Sequence, residues 1–149
     1  MTQQTNQRLD EAFDDIVDAW LIERQALLSQ FMSLPQISIA DDVISELHHF
    51  CEAMVDYSSR GHFNIYEQLL AHIAKYNSAQ VDQTNILLGK IHDTTDKIII
   101  FDDEYGSVEK LSIQDIGHFN GRLSRLGEVI TERFNLEDEI MALVQATLQ

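Results

Sequence analysis

The chain has 149 residues, one proline, 44% hydrophobic residues and a formal net charge of −15. That is the length of one domain with enough apolar content for a packed core, which speaks against disorder. The charge argues against direct nucleic-acid binding, which needs lysine and arginine to displace counterions from phosphate, and against anionic membranes; it favours a basic partner met by fast, salt-sensitive association.

The pattern is helical almost throughout, with no convincing period-two strand and no repeat of fixed length. Leu9, Phe13, Ile16, Val17, Trp20, Leu21, Leu27, Leu28, Phe31 and Met32 follow the three/four spacing of a long first helix. Asp10, Glu11, Asp14, Asp15 and Asp18 crowd its first half, where the helix dipole favours negative charge, and Pro35 ends it. A second helix begins near Asp41, with Ser38 and Asp41 as a capping pair and Val43, Leu47, Phe50 and Met54 as its stripe. Gly61 is placed to end it in a left-handed conformation, and Asn64 with Glu67 reads as the capping box of a third helix. Ile65, Leu69, Leu70 and Ile73 carry that third helix, which runs out at YNSAQ.

Val81, Ile86, Leu87, Leu88, Ile91, Ile98 and Ile99 form a fourth helix that frays at FDDEYG. The fifth starts with Ser112 and Asp115 as capping pair and Leu111 and Ile116 in the staple positions. Ile116, Leu123, Leu126, Ile130, Phe134, Ile140, Met141 and Val144 continue it nearly to the end of the chain. Gly117, Gly121 and Gly127 cost stability inside a helix; they either allow close packing or mark a kink. Short connections make neighbours antiparallel, so the expected fold is an all-α, up-and-down antiparallel bundle of about five helices, residues 1–149 forming a single domain.

The longest apolar run, Ile98 to Phe101 and its surroundings, is far too short to span a bilayer, and MTQQTNQRLDEAF has no apolar signal core, so a cytoplasmic location is expected. One cysteine, Cys51, excludes an internal disulfide and a thiolate zinc cluster, and fits a reducing compartment. It falls on the apolar stripe of the second helix, where a cysteine acts as a small hydrophobe. A di-iron bundle needs Glu-x-x-His on two helices; Glu46 with His49 supplies one, and Glu67 to His72 has the wrong spacing for a second. A metal enzyme built on Glu46, His49, His62, Glu67 and Glu137 is therefore disfavoured. No Gly-x-Ser-x-Gly, phosphate loop or dinucleotide fingerprint is present. Glu137 and Asp138, with Glu67 as a candidate opposite them, could serve acid/base chemistry; a structural ion pair with Arg133 is the preferred reading. No catalytic residue, metal or cofactor is expected.

Three blocks carry a family resemblance. FCEAMVDYSSRGHFNIYEQLL, Phe50 to Leu70, resembles the signature of the Rsd/AlgQ family, bacterial regulators of sigma D. VDAWLIERQALL, Val17 to Leu28, is similar to that family's Asp-x-Trp-Leu-x-x-Arg-x-x-Leu-Leu helix, and LGEVITERFNLEDEIMALV, Leu126 to Val144, to its Arg-Phe-x-Leu-Glu-Asp motif. The blocks cover about a third of the chain in family order, and Lys75 to Leu111 matches weakly. The resemblance implies a helical-bundle anti-sigma factor, not an enzyme. Such proteins bind the C-terminal, −35-reading domain of the primary sigma factor, keeping it from DNA and from core RNA polymerase; some members also bind HPr of the sugar phosphotransferase system. A DNA-reading domain is basic, so an acidic protein suits it.

Carried over position by position, the sigma-contacting set is Asp18, Arg24, Asp56, Tyr57, His62, Phe63, Tyr66, Glu67, Arg133, Glu137 and Asp138, with Gly61 structural and Trp20, Leu21 and Phe134 in the core. The polar members either preorganise a binding face or hold the corner around Gly61 together. The competing readings are an adaptor for HPr and the metal-dependent enzyme above.

Overall fold

The structure, a computed structural model, describes residues 2–34, 42–60, 65–111 and 113–147, with side chains described within 13–34, 44–60, 65–111 and 115–146. Among the described residues five α-helices follow one another: α1 (Thr2–Ser33), α2 (Asp42–Arg60), α3 (Tyr66–Tyr76), α4 (Val81–Tyr105) and α5 (Ile113–Thr147). A single 3₁₀ turn, Ser78–Gln80, joins α3 to α4. No strand occurs among the described residues. The sequence pairs proposed as caps at Ser38/Asp41 and Ser112/Asp115, the left-handed Gly61, and Pro35 lie wholly or partly outside the described residues. So does Asn64; the position preceding α3 is held by Ile65, in right-handed helical conformation and without a side-chain cap.

The helices stack into four columns rather than five. Phe31 packs on Phe50 with ring centroids 5.7 Å apart, and Trp20 reaches Tyr57, so α1 and α2 run antiparallel. Trp20 also meets Tyr66 edge-on, and Phe13 stacks on His72 at 4.7 Å. Moving from Tyr66 to His72 therefore continues the direction set from Phe50 to Tyr57. α3 prolongs α2 along the same column instead of turning back, so the short α2–α3 connection is an interruption and not a hairpin. Next, α4 descends: Thr94 and Thr95 lie level with Arg133, while Tyr105 meets Phe119 at 5.1 Å, which also makes α5 antiparallel to α4.

One continuous core fills the bundle. Trp20, Leu47, Phe50, Met54, Leu69, Ile73, Ile91, Ile98, Ile140 and Val144 are nearly or wholly closed off from solvent. Periodicity alone misplaces a few apolar side chains. Leu21, expected in the core, is 40% exposed, and Ile86 and Ile99 are 55% and 45% exposed. Conversely, α4 does not fray at FDDEYG: it runs to Tyr105, with Phe101 and Tyr105 buried where α4 and α5 converge. α1 packs on α2, α2 on α4 and α4 on α5, with α3 against both α4 and α5. Along the fourth edge α1 and α5 meet through side chains. There the Phe31 ring lies over Gly127, where an added Cβ would come within 2.9 Å of it. Gly117 and Gly121 have open space at the same position. Among the three helical glycines of α5, only Gly127 therefore serves close packing.

Candidate functional site

The middle of the bundle is polar. Tyr57 of α2 donates its hydroxyl hydrogen to the Glu137 carboxylate, 2.8 and 2.9 Å from its two oxygens, and accepts the indole N–H of Trp20 from α1 at 2.9 Å. Tyr66 of α3 donates to Glu137 Oε2 at 2.5 Å and accepts from the Arg133 guanidinium at 2.9 Å. Arg133 Nη1 then donates to the hydroxyls of Thr94 and Thr95 on α4, at 3.1 and 2.6 Å. Arg133 and Glu137 are one helical turn apart on α5, with Nε 3.7 Å from Oε2. The chain of bonds thus draws one or more side chains from each of the five helices. Both charged side chains are sealed, at 1% and 0% exposure.

The electrostatics follow from that burial. Desolvation raises the Glu137 pKa above the usual carboxylate range, against the pull of Arg133, of both phenols and of Arg24. Burial, with Glu137 beside them, also pushes both tyrosines far up, so each hydroxyl keeps the proton it donates. A buried ion pair survives only when its remaining donors and acceptors are satisfied. Here the two phenols and two threonine hydroxyls do most of that, while Arg133 Nε and the Ser58 hydroxyl have no hydrogen-bond partner. Glu137 is closed to solvent and Arg133 nearly so, and the cluster ties the five helices to one another.

Arg24 links this interior to the surface. Its guanidinium bonds Asp138 at 2.8 Å, stands 3.8 Å from Glu137 and lies 4.7 Å above the Phe134 ring. Burial lowers its pKa, but the bond and charge of Asp138 and the charge of Glu137 outweigh that and leave it raised. Glu137, adjacent in sequence to Asp138, turns inward to Arg133 while Asp138 stays at the surface, and Arg24 lies within reach of both.

The expected contact residues divide by burial. Tyr57, Tyr66, Arg133 and Glu137 are interior; Asp18, Asp56, Glu67 and Asp138 are exposed; Arg24 stands between. His62 and Phe63 lie outside the described residues. Glu67 is exposed while Glu137 is sealed, so the two acids do not form a solvent-facing pair. Thr94 and Thr95, which complete the network, were not anticipated. The signal is faint: two hydroxyl residues on the buried stripe between Ile91 and Ile98, where apolar residues are the rule.

The remaining candidates are simpler. Cys51 is 1% exposed, and burial together with the nearby Asp102 charge pushes its thiol up to about 12, so it stays a protonated hydrophobe at neutral pH. His48 Nε2 donates to the Val108 carbonyl at 2.6 Å, tying α2 to the segment after α4. Among the described residues no group of three or more histidine, cysteine, aspartate or glutamate side chains is placed to hold a metal ion. No helix among them is long and apolar enough to cross a membrane.

Curated relatives are similar to this chain over most of its length. The sequence is 31% identical over 134 residues to the protein named "Regulator of sigma D" of Pectobacterium carotovorum, covering 87% of each chain. Over 133 residues it is 29% identical to the "Regulator of sigma D" of Yersinia enterocolitica, covering 86% of this chain and 79% of that one. No solved structure matches it. Residues 1–145 match the family described as "Regulator of RNA polymerase sigma(70) subunit, Rsd/AlgQ", and the chain belongs to that family.

Proposed function

We propose that the protein binds the C-terminal, −35-reading domain of the primary sigma factor and withholds it from core RNA polymerase and promoter DNA. It acts by stoichiometric occlusion, without chemistry. The family match across residues 1–145 carries this reading. The physical counterpart is an acidic protein with Asp18, Asp56, Glu67 and Asp138 at the surface, offered to a domain whose DNA-reading face is basic. The buried Arg133–Glu137 network supports the function indirectly, by fixing the columns that carry the exposed acids. A calorimetric titration of the full chain with the isolated sigma C-terminal domain tests the reading. One-to-one binding that weakens as salt rises is expected. Absence of binding at low salt overturns it.

A further inference from the structure

Among the described residues, one edge of the bundle combines bare carboxylates with uncovered apolar side chains. Between α1 and α5 lies a cleft of about 610 Å³, whose lining includes Phe31, Gly127, Glu128, Glu132, Leu136 and Glu139. Bare Gly127 lets the Phe31 ring settle onto α5 at one end. From there to Glu139 the cleft follows α5 for about 18 Å, at the usual rise per residue of a helix.

Two independent features say what fits it. Beside the cleft, α1 lines it with Phe31 and carries uncovered apolar side chains, Leu21 at 40% and Met32 at 60% exposure. Helical spacing places both, with Leu28, on the flank of α1 that also carries Arg24 and Phe31, the residues reaching α5. A row of exposed apolar side chains on one flank marks an interaction surface. The α5 wall supplies the charge. Every ionisable side chain lining the cleft, Glu128, Glu132 and Glu139, is a carboxylate, and none is cationic. The other grooves lack this combination: the α4/α5 groove holds Lys97, Arg122 and Arg125, and the α1/α2 crevice is bridged by Arg60 and Glu23.

We infer that the α1/α5 cleft seats a basic amphipathic helix of the sigma domain. The placement rests on the sigma reading above and adds the face of the bundle and the chemistry of the contact. The helix lays its apolar stripe on Leu21, Leu28, Met32 and Leu136, and its cationic flank over the three glutamates. A helix held there cannot also lie in a DNA groove, since the cations that would meet phosphate are engaged with carboxylates.

The test is a titration of full-length variants with the isolated sigma C-terminal domain at low salt. A triple variant, Glu128→Gln with Glu132→Gln and Glu139→Gln, should bind about tenfold or more weakly and with a flatter salt dependence. A second, Leu21→Ser with Met32→Ser, should dissociate faster with its salt dependence unchanged. The control removes three exposed charges from α4, Asp82→Asn with Asp93→Asn and Asp96→Asn, and should change affinity by less than about threefold, through the overall field alone. Wild-type binding that the cleft variants leave intact, or that the α4 control weakens as much, overturns the placement while leaving the sigma reading standing. No wild-type binding overturns both. Sedimentation of the free chain covers the remaining occupant: a wild-type dimer dissolved by the cleft variants would mean that the cleft holds a second copy.

Discussion

Arg133 and Glu137 show how much of this protein rests on single side chains. Removing one member of a buried pair leaves the other charged and without its counter-ion, at a cost of about 3–5 kcal/mol. Arg133→Ala should therefore lower the urea midpoint by that equivalent, because it strands Glu137 and takes the donor from Thr94, Thr95 and Tyr66 together. Glu137 also has a pH signature. Its folded pKa is raised, so the stability it contributes is complete below the ordinary carboxylate value of 4.5 and is lost as pH rises through the folded value. Glu137→Gln deletes that dependence. The stability difference between wild type and Glu137→Gln should shrink as pH rises above the ordinary carboxylate value of 4.5, measured by denaturant unfolding. The sequence marks Tyr57, Tyr66, Arg133 and Glu137 as a set of unusual polar residues, yet their burial is not written in the local pattern. Tyr66, Arg133 and Glu137 each sit between an apolar residue and an exposed acid, and Tyr57 between Asp56 and Ser58, so only the assembled bundle decides which way each turns.

At the level of helices, the chain's pattern predicts existence and extent well, and neighbourhood less well. The three/four spacing places all five helices, because each buries an apolar stripe long enough to outweigh local irregularities. It fails at the end of α4, where Tyr105 packs on Phe119 of α5 and on Phe101, contacts that override the acids beside them. It fails also at α3, since a short connection specifies proximity and not direction. The glycines of α5 separate propensity from packing. Gly117→Ala and Gly121→Ala should each raise stability by about 0.5–1 kcal/mol, as both positions are exposed and open. Gly127→Ala should gain less or lose stability, since the new methyl displaces the Phe31 ring. Thermal unfolding of the three variants side by side distinguishes these outcomes.

Over the whole molecule, charge and architecture play separate parts. On the proposed reading, the excess of carboxylates sets a long-range field that draws a basic partner in, and the exposed apolar flank of α1 gives that partner something to rest on. Asp56 and Glu67 are both exposed, so reversing either charge to lysine should leave the helical circular dichroism spectrum unchanged and slow association with the sigma domain, an effect that fades at high salt. Loss of the helical spectrum would show instead that these acids support the fold. The charge was readable from composition. The open edge between α1 and α5 was not, because it depends on which columns become neighbours and on Gly127 alone among the α5 glycines.

The polar chain through the core also bears on how the protein folds in time. Trp20 and Tyr57 meet within the α1–α2 hairpin, a closure of 37 residues, whereas Tyr57 and Glu137, 80 residues apart, join columns that do not follow one another in the chain. Contacts of the second kind are completed last, since loop-closure entropy favours the nearer pairings first. They should be absent from the folding transition state, so that Tyr57→Phe speeds unfolding and leaves refolding nearly unchanged in stopped-flow measurements. The same network that costs desolvation at equilibrium then acts as a latch, governing how long a folded molecule lasts rather than how quickly one forms.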